Sequence, residues 1–307
     1  MQNTIVVLGS SNTDMIVKTE RIPRPGETVI GGVFSKAPGG KGANQAVAAA
    51  RAGGSVVFIG RVGADMLGEE ALAGYICDGI DVSRVTRDPD AYSGVALIFV
   101  DAKGENSIAV ASGANANVTP ADVEAARDRI ESAAVLLMQL EIPIEAVRAA
   151  ADIAVARGVR VILNPAPARA LDDALLRNIS ILTPNETEAE LLTGISADTD
   201  RGVENATEAL RARGIETVLL TLGTRGVYIA SPEYRGIVPC YPVECVDSTA
   251  AGDVFNGVLA ASLADGRILL DAVRFASAAA AISVTRMGAQ PSAPYREEIE
   301  VLFRERG

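Results

Sequence analysis

The feature that most constrains this chain is an alternation between short apolar, β-branched runs and segments with helical periodicity. Strands that are apolar almost throughout are typical of parallel sheets with helices on both faces. The alternation therefore predicts an α/β fold with a mostly parallel central sheet. The predicted strands lie at 4–10, 55–63, 134–141, 159–167, 179–186 and 216–230. Ala-rich helical stretches such as NQAVAAARAGG and IEAVRAAADIAVARG lie between them.

Two segments, 12–38 and 92–111, do not follow this alternation. They alternate apolar and polar residues, contain Gly and Pro, and lack helical periodicity. This pattern predicts a small antiparallel β-sheet inserted into an α/β body formed by 1–11, 39–91 and 112–307. Open α/β sheets bind ligands beyond the carboxyl ends of their strands, so we expect the small sheet to act as a lid there.

Composition excludes several classes of function. Lys and Arg number 28 against 39 Asp and Glu, for a net charge of −11, which gives no basic surface for nucleic acid. With no histidine, the chain has no Ser-His-Asp triad, no Cys-His pair and no His-ligated zinc. Three cysteines are too few for a disulfide framework. The N-terminus lacks signal-peptide features and no run is long enough to span a bilayer, so we expect a cytoplasmic protein without membrane or nucleic-acid partners.

The strongest motif is DSTAAGDVFNG, which starts at Asp247. Ala250, Ala251 and Gly252 precede or open a predicted helix with Asp253 in its first turn. Small residues let an anion approach the backbone N–H groups, and the helix N-terminus adds its positive dipole end. A carboxylate in a first turn is also favourable for the helix alone. The small residues together with two acids favour an anion site with a nearby base.

A second motif, GGKGANQA, places Gly40, Lys41 and Asn44 at the start of an Ala-rich helix. It is neither a P-loop nor a dinucleotide fingerprint, because Gln45 stands where the fingerprint has its third Gly. The motif is compatible with a simple glycine turn that exposes a lysine. A polar Asn44 in a helix so rich in alanine favours a polar ligand such as a polyol.

Polar or Gly-rich turns follow five of the predicted strands. Any one of them is usually a helix cap or a turn, but five at one edge of a parallel sheet indicate a ligand crevice. A polyol site, a carboxylate and an anion site in one crevice predict phosphoryl transfer to a hydroxyl group. The residues in these turns are Asn12, Asp14, Glu141, Asn185, Glu186, Glu188, Thr221, Gly223 and Gly226.

These motifs occur in an order that resembles the ribokinase-like (PfkB-type) carbohydrate kinases over essentially the whole chain. The similar blocks are GSSNTD, PGETV, GGKGANQA, GVALIFV, LLMQLE, NPAPA, TPNETEAE, TLGTRGV, DSTAAGDVFNG and VTRMGAQPS. The resemblance implies transfer of phosphate from Mg-ATP to a sugar hydroxyl, with O5 of D-ribose as the expected acceptor. It also implies Mg²⁺ with the nucleotide, activation by K⁺, and a homodimer joined through the lid.

The resemblance also implies roles for individual residues. Asp253 matches the catalytic base, and Ala250, Ala251 and Gly252 match the backbone anion hole. The sugar site matches Asn12, Asp14, Gly40, Lys41, Asn44, Glu141 and Asp253. The ATP site matches Asn185, Thr221, Gly223, Thr224, Gly226, Gly252 and Ser277, with Asn185 and Glu188 near Mg²⁺, largely through water. The K⁺ site matches Asp247, Thr249, Ser283, Arg286, Gly288 and Ser292, mostly through backbone oxygens.

The sequence departs from the family's pattern at one position, and several other functions remain open. Ser277 stands where some relatives carry a His against the adenine, so base contacts there are expected to differ. Sibling kinases for deoxyribose, fructose, nucleosides or phosphosugars remain open, although 4% aromatic residues and no Trp argue mildly against a nucleoside. A non-catalytic sugar- or nucleotide-binding module is the rival from another class. A dinucleotide oxidoreductase is disfavoured because the GxGxxG motif is absent.

Overall fold

The computed structural model describes residues 3–306, and the strands within that range number thirteen. Most of them are short and separated by helices, as expected for an α/β protein. They are β1 (Thr4–Leu8), β2 (Asn12–Lys18), β3 (Val33–Gly39), β4 (Ser55–Gly63), β5 (Asp81–Asp88), β6 (Gly94–Val100), β7 (Asn106–Ala111), β8 (Val135–Met138), β9 (Arg160–Leu163), β10 (Ile181–Leu182), β11 (Thr217–Thr221), β12 (Val227–Ala230) and β13 (Arg235–Val238).

The helices connect these strands and include the two that carry the motifs described above. They are α1 (Lys41–Arg51), α2 (Met66–Cys77), α3 (Pro120–Ala125), α4 (Arg127–Glu131), α5 (Ile144–Val155), α6 (Asp173–Leu176), α7 (Glu186–Thr193), α8 (Asp200–Ala212), α9 (Ala251–Ala264), α10 (Leu269–Ser283) and α11 (Arg296–Arg306). Between residues 3 and 306, no helix combines the length and apolar character needed to cross a membrane.

Nine strands form the central sheet in the order β13-β12-β11-β10-β9-β8-β1-β4-β5. All neighbours from β5 to β11 are parallel, and the β11–β12 and β12–β13 pairs at one edge are antiparallel. Along β1, Ile5 and Val7 pack into one hydrophobic cluster with residues of α1, α9 and α10, while Val6 and Leu8 pack into another with residues of α3, α4 and α5. Helices therefore cover both faces, and the predicted fold class is confirmed.

The second sheet has four strands in the order β3-β2-β6-β7 and is built from 12–18, 33–39, 94–100 and 106–111. Its outer pairs are antiparallel, but the central β2–β6 pair is parallel. The sheet is therefore mixed, whereas alternation alone predicted antiparallel strands. The chain passes through the body between β2 and β6, which is why these two neighbours run in the same direction.

Two details of the central sheet differ from the sequence prediction. The run 216–230 is two antiparallel strands, β11 and β12, joined by a 3₁₀ turn at Gly223–Arg225. The segment Asp81–Asp88 was not predicted as a strand because its sequence, DVSRVTRD, is largely polar. It forms β5 at an edge of the sheet, where only one neighbour is present and polar side chains can reach solvent.

Candidate active site

Asp253 lies in the first turn of α9, where the sequence placed it, and only 5% of its surface is exposed. Its Oδ2 accepts a hydrogen bond from Nδ2 of Asn44 at 3.0 Å, and its Oδ1 accepts one from Nε2 of Gln45 at 2.9 Å. Both amides belong to α1, which brings the two strongest motifs into direct contact. Burial raises the pKa of Asp253, while Lys41 and the two amides oppose that increase. The result is a buried carboxylate with a raised pKa and an orientation fixed by two donors, features that suit a general base.

Asn44 keeps one polar atom free beside this carboxylate. Within residues 3–306 its buried Oδ1 has no hydrogen-bond partner. A buried carbonyl oxygen without a donor is costly, so a ligand hydroxyl would relieve a penalty that the protein alone leaves unmet. This observation fits a polyol better than an apolar ligand.

The sugar-site residues predicted from the turns after β1 and β8 converge on the same space. Oε2 of Glu141 accepts hydrogen bonds from Oγ of Ser10 at 2.5 Å and from the backbone N–H of Lys41 at 3.0 Å. Burial, followed by the charges of Glu141 and Asp253, raises the pKa of Asp14 to about 6. Three carboxylates from separate parts of the chain therefore lie close enough to influence one another.

Lys41 is the counter-charge to this acidic cluster. Burial lowers its pKa, but the carboxylates of Asp253, Glu141 and Glu188 more than offset that effect and leave the pKa above its ordinary value. A charged ammonium in partly desolvated surroundings is a strong electrostatic partner for an incoming anion.

Gly40 allows α1 to begin in close contact with the turn that follows β1. Its φ is +90°, and a Cβ at this position would lie 2.7 Å from the backbone nitrogen of Asn12. A side chain would push the two turns apart. The side chain of Asn12 is buried and its Oδ1 accepts a hydrogen bond from Nδ2 of Asn115 at 2.8 Å, which leaves the Asn12 amide N–H groups to act as donors.

The predicted anion hole is an uncapped helix N-terminus. Ala250 precedes α9 in a left-handed conformation with φ of +59°, and no side chain in the described part of the protein caps the helix. The space on the side of Gly252 where a Cβ would point holds no other described group within 4 Å. The N–H of Ala251 donates to the carbonyl oxygen of Ser248 at 3.2 Å. The other first-turn N–H groups have no partners within their helix, so this end of α9 can accept an anion.

The predicted nucleotide residues fall into three places, one of which is Gly252 at the start of α9. Asn185, beyond the end of β10, forms a β-bridge with Thr221, the last residue of β11, and Gly223 and Thr224 follow in the 3₁₀ turn that Gly226 closes. Ser277 lies on α10, almost fully buried, with an Oγ that has no partner among the described residues. This free hydroxyl is compatible with a hydrogen bond to a polar atom of a bound ligand.

Asn185 and Glu188 form a capping box at the start of α7. Oδ1 of Asn185 accepts from the backbone N–H of Glu188 at 2.8 Å, and Oε2 of Glu188 accepts from the backbone N–H of Asn185 at 2.9 Å. Burial raises the pKa of Glu188, the backbone N–H of Asn185 and the charge of Lys41 oppose this, and the charge of Asp253 adds to it, so Glu188 lies within electrostatic range of Asp253. Oε1 takes no part in the capping box, which fits a single oxygen ligand, or contact through water, to a Mg²⁺ ion that keeps most of its hydration shell.

The predicted cation residues lie on two loops that Asp247 joins. Its carboxylate accepts hydrogen bonds from the backbone N–H groups of Thr249 at 2.9 Å and Gly288 at 2.8 Å. The hydroxyls of Ser283 and Ser292 are buried and donate to nearby backbone carbonyls. The Arg286 side chain pairs with Glu298 instead. The side chains here hold the loops, so any cation ligands among these residues would be mainly backbone oxygens, as the resemblance implied.

Several buried polar residues of the site were not singled out from the sequence. They share one property, which is a polar side chain in an otherwise apolar strand end or helix. That signal is visible in LLMQLE, NPAPA and GANQA but does not show which partner each side chain meets. These residues are Ser10, Gln45, Asn115, Gln139, Asn164, Thr183 and Asn256.

A family model described as pfkB family carbohydrate kinase matches residues 2–296, and the chain belongs to that family. The chain is 44% identical to the ribokinase of Haemophilus influenzae over 298 residues, which cover 97% of both proteins. It is 36% identical to the deoxyribokinase of Salmonella typhi over 295 residues, which cover 96% of both. The structure of Arabidopsis thaliana ribokinase complexed with ribose and ATP superposes with a TM-score of 0.92 at 32% identity and covers 99% of each chain. These relationships confirm the resemblance seen in the motifs.

Proposed function

We propose that this protein is an ATP-dependent ribokinase that phosphorylates O5 of D-ribose. The observation that carries the proposal is the buried Asp253 carboxylate, fixed by two amides at the open N-terminus of α9 and beside the unpartnered Oδ1 of Asn44. Relatives named ribokinase at 39–44% identity support the choice of substrate.

In the proposed reaction Asp253 accepts the proton of the 5-hydroxyl group as O5 forms a bond to the γ-phosphorus. The bond between that phosphorus and the β–γ bridging oxygen breaks, and ADP leaves with the electron pair. Backbone N–H groups at 250–252 receive the charge that develops on the phosphoryl oxygens. A positioned base contributes about 10²–10⁴ in rate.

The sugar is held, in this proposal, by Asn12, Asp14, Gly40, Lys41, Asn44, Glu141 and Asp253. Carboxylate and amide groups pair well with adjacent hydroxyls, and the charge of Lys41 balances the acids that surround it. The nucleotide would contact Asn185, Thr221, Gly223, Thr224, Gly226, Gly252 and Ser277. Asn185 and Glu188 would hold the Mg²⁺ of the nucleotide, largely through water, and the ion would supply charge neutralisation there.

Activation by K⁺ belongs to the same proposal. Asp247 holds the 247–249 and 284–288 loops together, and the first of these leads directly into α9. An ion bound by the carbonyls of Asp247, Thr249, Ser283, Arg286, Gly288 and Ser292 would stabilise the turn that precedes the anion hole. K⁺ would therefore act on the reaction through the position of α9.

We also propose that residues 12–38 and 92–111 form a lid that joins two copies of the chain. Asp14, Ile98 and Ile108 share one face of the small sheet, while Phe34, Leu97 and Phe99 share the other. Both faces carry exposed apolar side chains. In this proposal one apolar face of the sheet covers the sugar site of its own chain, and the other face packs against a second copy.

We also propose a cytoplasmic location. Free thiols at all three cysteines are compatible with it.

The test is ADP release from Mg-ATP with D-ribose, 2-deoxyribose, fructose and a nucleoside, each with and without K⁺. Ribose-dependent turnover that increases with K⁺ is the expected result. Turnover on another sugar alone would move the substrate assignment and keep the mechanism. Nucleotide binding without turnover on any sugar would contradict the proposal and favour a binding module.

A further inference from the structure

Among residues 3–306, Gln45 is the one residue that donates a side-chain hydrogen bond to the Asp253 carboxylate without belonging to the sugar site proposed above. Its side chain is completely buried on α1. Nε2 donates to Oδ1 of Asp253 at 2.9 Å and to Oδ1 of Asn164 at 3.1 Å. Oε1 accepts from Nε2 of Gln139 at 2.6 Å. The amide of Gln45 therefore uses both its donors and its acceptor.

The neighbours of Gln45 fix which way its amide points. Asn164, after β9, donates its own Nδ2 to the carbonyl of Thr183 at 3.2 Å, so its Oδ1 must face Gln45. A reversed Gln45 amide would place Oε1 against two oxygens and its NH₂ group against the Nε2 of Gln139. The oxygens of Asn164 and Asp253 thus set the direction of the Gln45 donor. Gln139 does not, because its Oε1 has no partner among the described residues.

The same chain of hydrogen bonds returns to α9. Oγ of Thr183 donates to Oδ1 of Asn256 at 2.7 Å, and Nδ2 of Asn256 donates to the carbonyl oxygen of Gly252 at 2.8 Å. The network therefore holds both Asp253 and the peptide next to it. Linked buried hydrogen bonds of this kind rigidify the groups that they join. Among residues 3–306, Oε1 of Gln139 is the atom of this network that lacks a partner.

We propose that Gln45 is a positioning residue for the proposed kinase reaction: it fixes Oδ1 of Asp253 and stabilises the charged carboxylate, so that the base meets the sugar hydroxyl in one orientation. This inference rests on the proposed function for its catalytic meaning. The contact itself does not depend on the substrate. Hydrogen bonds to charged groups are among the strongest that side chains make.

The groups around Asp253 indicate how its pKa would change if Gln45 were lost. Burial raises the pKa of Asp253; Lys41 on α1, Asn44 and Gln45 lower it, and Glu141 after β8 raises it. Asp14 on β2 and Glu188 on α7 are the other charged groups that face it. Without the Gln45 donor, the effect of burial would be opposed less strongly and the pKa of Asp253 would rise. The carboxylate would then stay protonated up to a higher pH.

The first experiment compares the pH dependence of kcat for ribose phosphorylation in the parent, Gln45→Met and Gln139→Met. Gln139→Met is the matched control, because it removes the same amide from an equally buried side chain that contacts Gln45 but not Asp253. For Gln45→Met we expect the acidic limb to move up by about one pH unit, with kcat about tenfold lower near that limb. For Gln139→Met we expect a shift of less than about a third of a unit. A folded Gln45→Met with an unmoved limb would overturn the proposal.

A second experiment needs no turnover. The ¹³C signal of the Asp253 carboxyl, identified by its loss in Asp253→Asn, is titrated in the unliganded parent and in Gln45→Met. An upward shift of the midpoint supports the role of Gln45 even if the parent phosphorylates no ribose, which would contradict the proposed function alone. An equal midpoint in both proteins rejects the role of Gln45 whatever the substrate.

Should Gln45→Met fail to fold, Gln45→Glu serves in its place because it preserves the volume of the side chain. The introduced carboxyl lies beside Asp253, and two neighbouring acids share a proton, so we expect an upward shift larger than that from Met. A midpoint that does not move in this variant rejects the inference.

Discussion

The two sides of the sugar site are built in opposite ways. On the body side, β8 is buried at every position and leads to Gln139, whose amide belongs to a network that includes Asp253. On the lid side, β7 is exposed at every position, and Ile108 and Val110 are more than half exposed. The groups to which we assign the chemistry therefore lie in a buried, hydrogen-bonded region, whereas the proposed lid leaves apolar side chains exposed. Positioning and closure are thus assigned to different sheets.

The largest effect is expected from Asp253→Asn, which tests the rigid side. The amide cannot accept the hydroxyl proton as a base, so kcat should fall about 10³-fold while ribose and nucleotide still bind. ADP release measures the first quantity and calorimetric titration the second. Unchanged turnover would show that the base lies elsewhere.

The next effect should come from the lid. Leu97→Asp places a charge on the face of Phe34 and Phe99, and we expect the dimer to dissociate at least tenfold more readily, as measured by sedimentation equilibrium. Lys103→Asp, in the exposed turn between β6 and β7, is the matched control and should leave the association unchanged. A parent protein that sediments as a monomer at every concentration would refute the second-copy proposal.

A third prediction joins the two sides through Asp14, which belongs to the lid strand β2 but faces the carboxylates of the body. Since its pKa is about 6, sugar binding by the ionised form should weaken as the pH falls, with KM for ribose about tenfold higher one unit below that pKa. In Asp14→Asn the KM should be higher and independent of pH. A parent KM that is flat between about pH 5 and pH 7 would contradict this.

The same group has a consequence for stability with a definite sign. The pKa of Asp14 in the folded protein is about 6 against an ordinary value of 3.8, so the folded state binds the proton more tightly than the unfolded chain. Its contribution to stability is complete below about pH 4 and is lost as the pH rises through about 6. The free energy of unfolding of Asp14→Asn relative to the parent should therefore increase across that interval, as urea titrations at several pH values would show.

The smallest effect concerns Ala250, the non-glycine residue with positive φ in the described chain. A left-handed alanine costs roughly 1–2 kcal/mol, whereas glycine costs about 0.4–1 kcal/mol through the entropy of the unfolded chain. Ala250→Gly should therefore raise the free energy of unfolding by about 0.5 kcal/mol. Denaturant titration measures this, and a clear loss of stability would mean that the methyl group makes a contact the turn needs.

The sequence predicted the architecture well where the local pattern was strong. The strand at 55–63 has the predicted bounds because its apolar run is continuous, and Asp253 lies in a first turn because small residues precede an apolar helix. β5 was missed because an edge strand tolerates polar side chains. The parallel pairing of β2 with β6 depends on the path of the chain between them, which alternation within each strand does not encode.

The site was predictable as a set of residues but not as a network. Asn44 and Asp253 are 209 positions apart, and the motifs alone brought them to one crevice. Gln45, next to Asn44, gave no comparable signal, because periodicity does not tell which of two adjacent amides faces the ligand and which faces the interior. Its role depends on partners after β8 and β9, and those contacts exist only once the sheet has formed.

The contact between α1 and α9 limits how this enzyme could acquire a new substrate. A Cβ at Gly257 of α9 would lie 2.3 Å from the carbonyl oxygen of Gln45 and 2.8 Å from the Cβ of Ala48, both on α1. Larger side chains have no room there, so mutation on the body side would separate Asp253 from its amides before it reshaped the pocket. Divergence toward other sugars, in nature or by directed evolution, would therefore be concentrated in the strands of the lid.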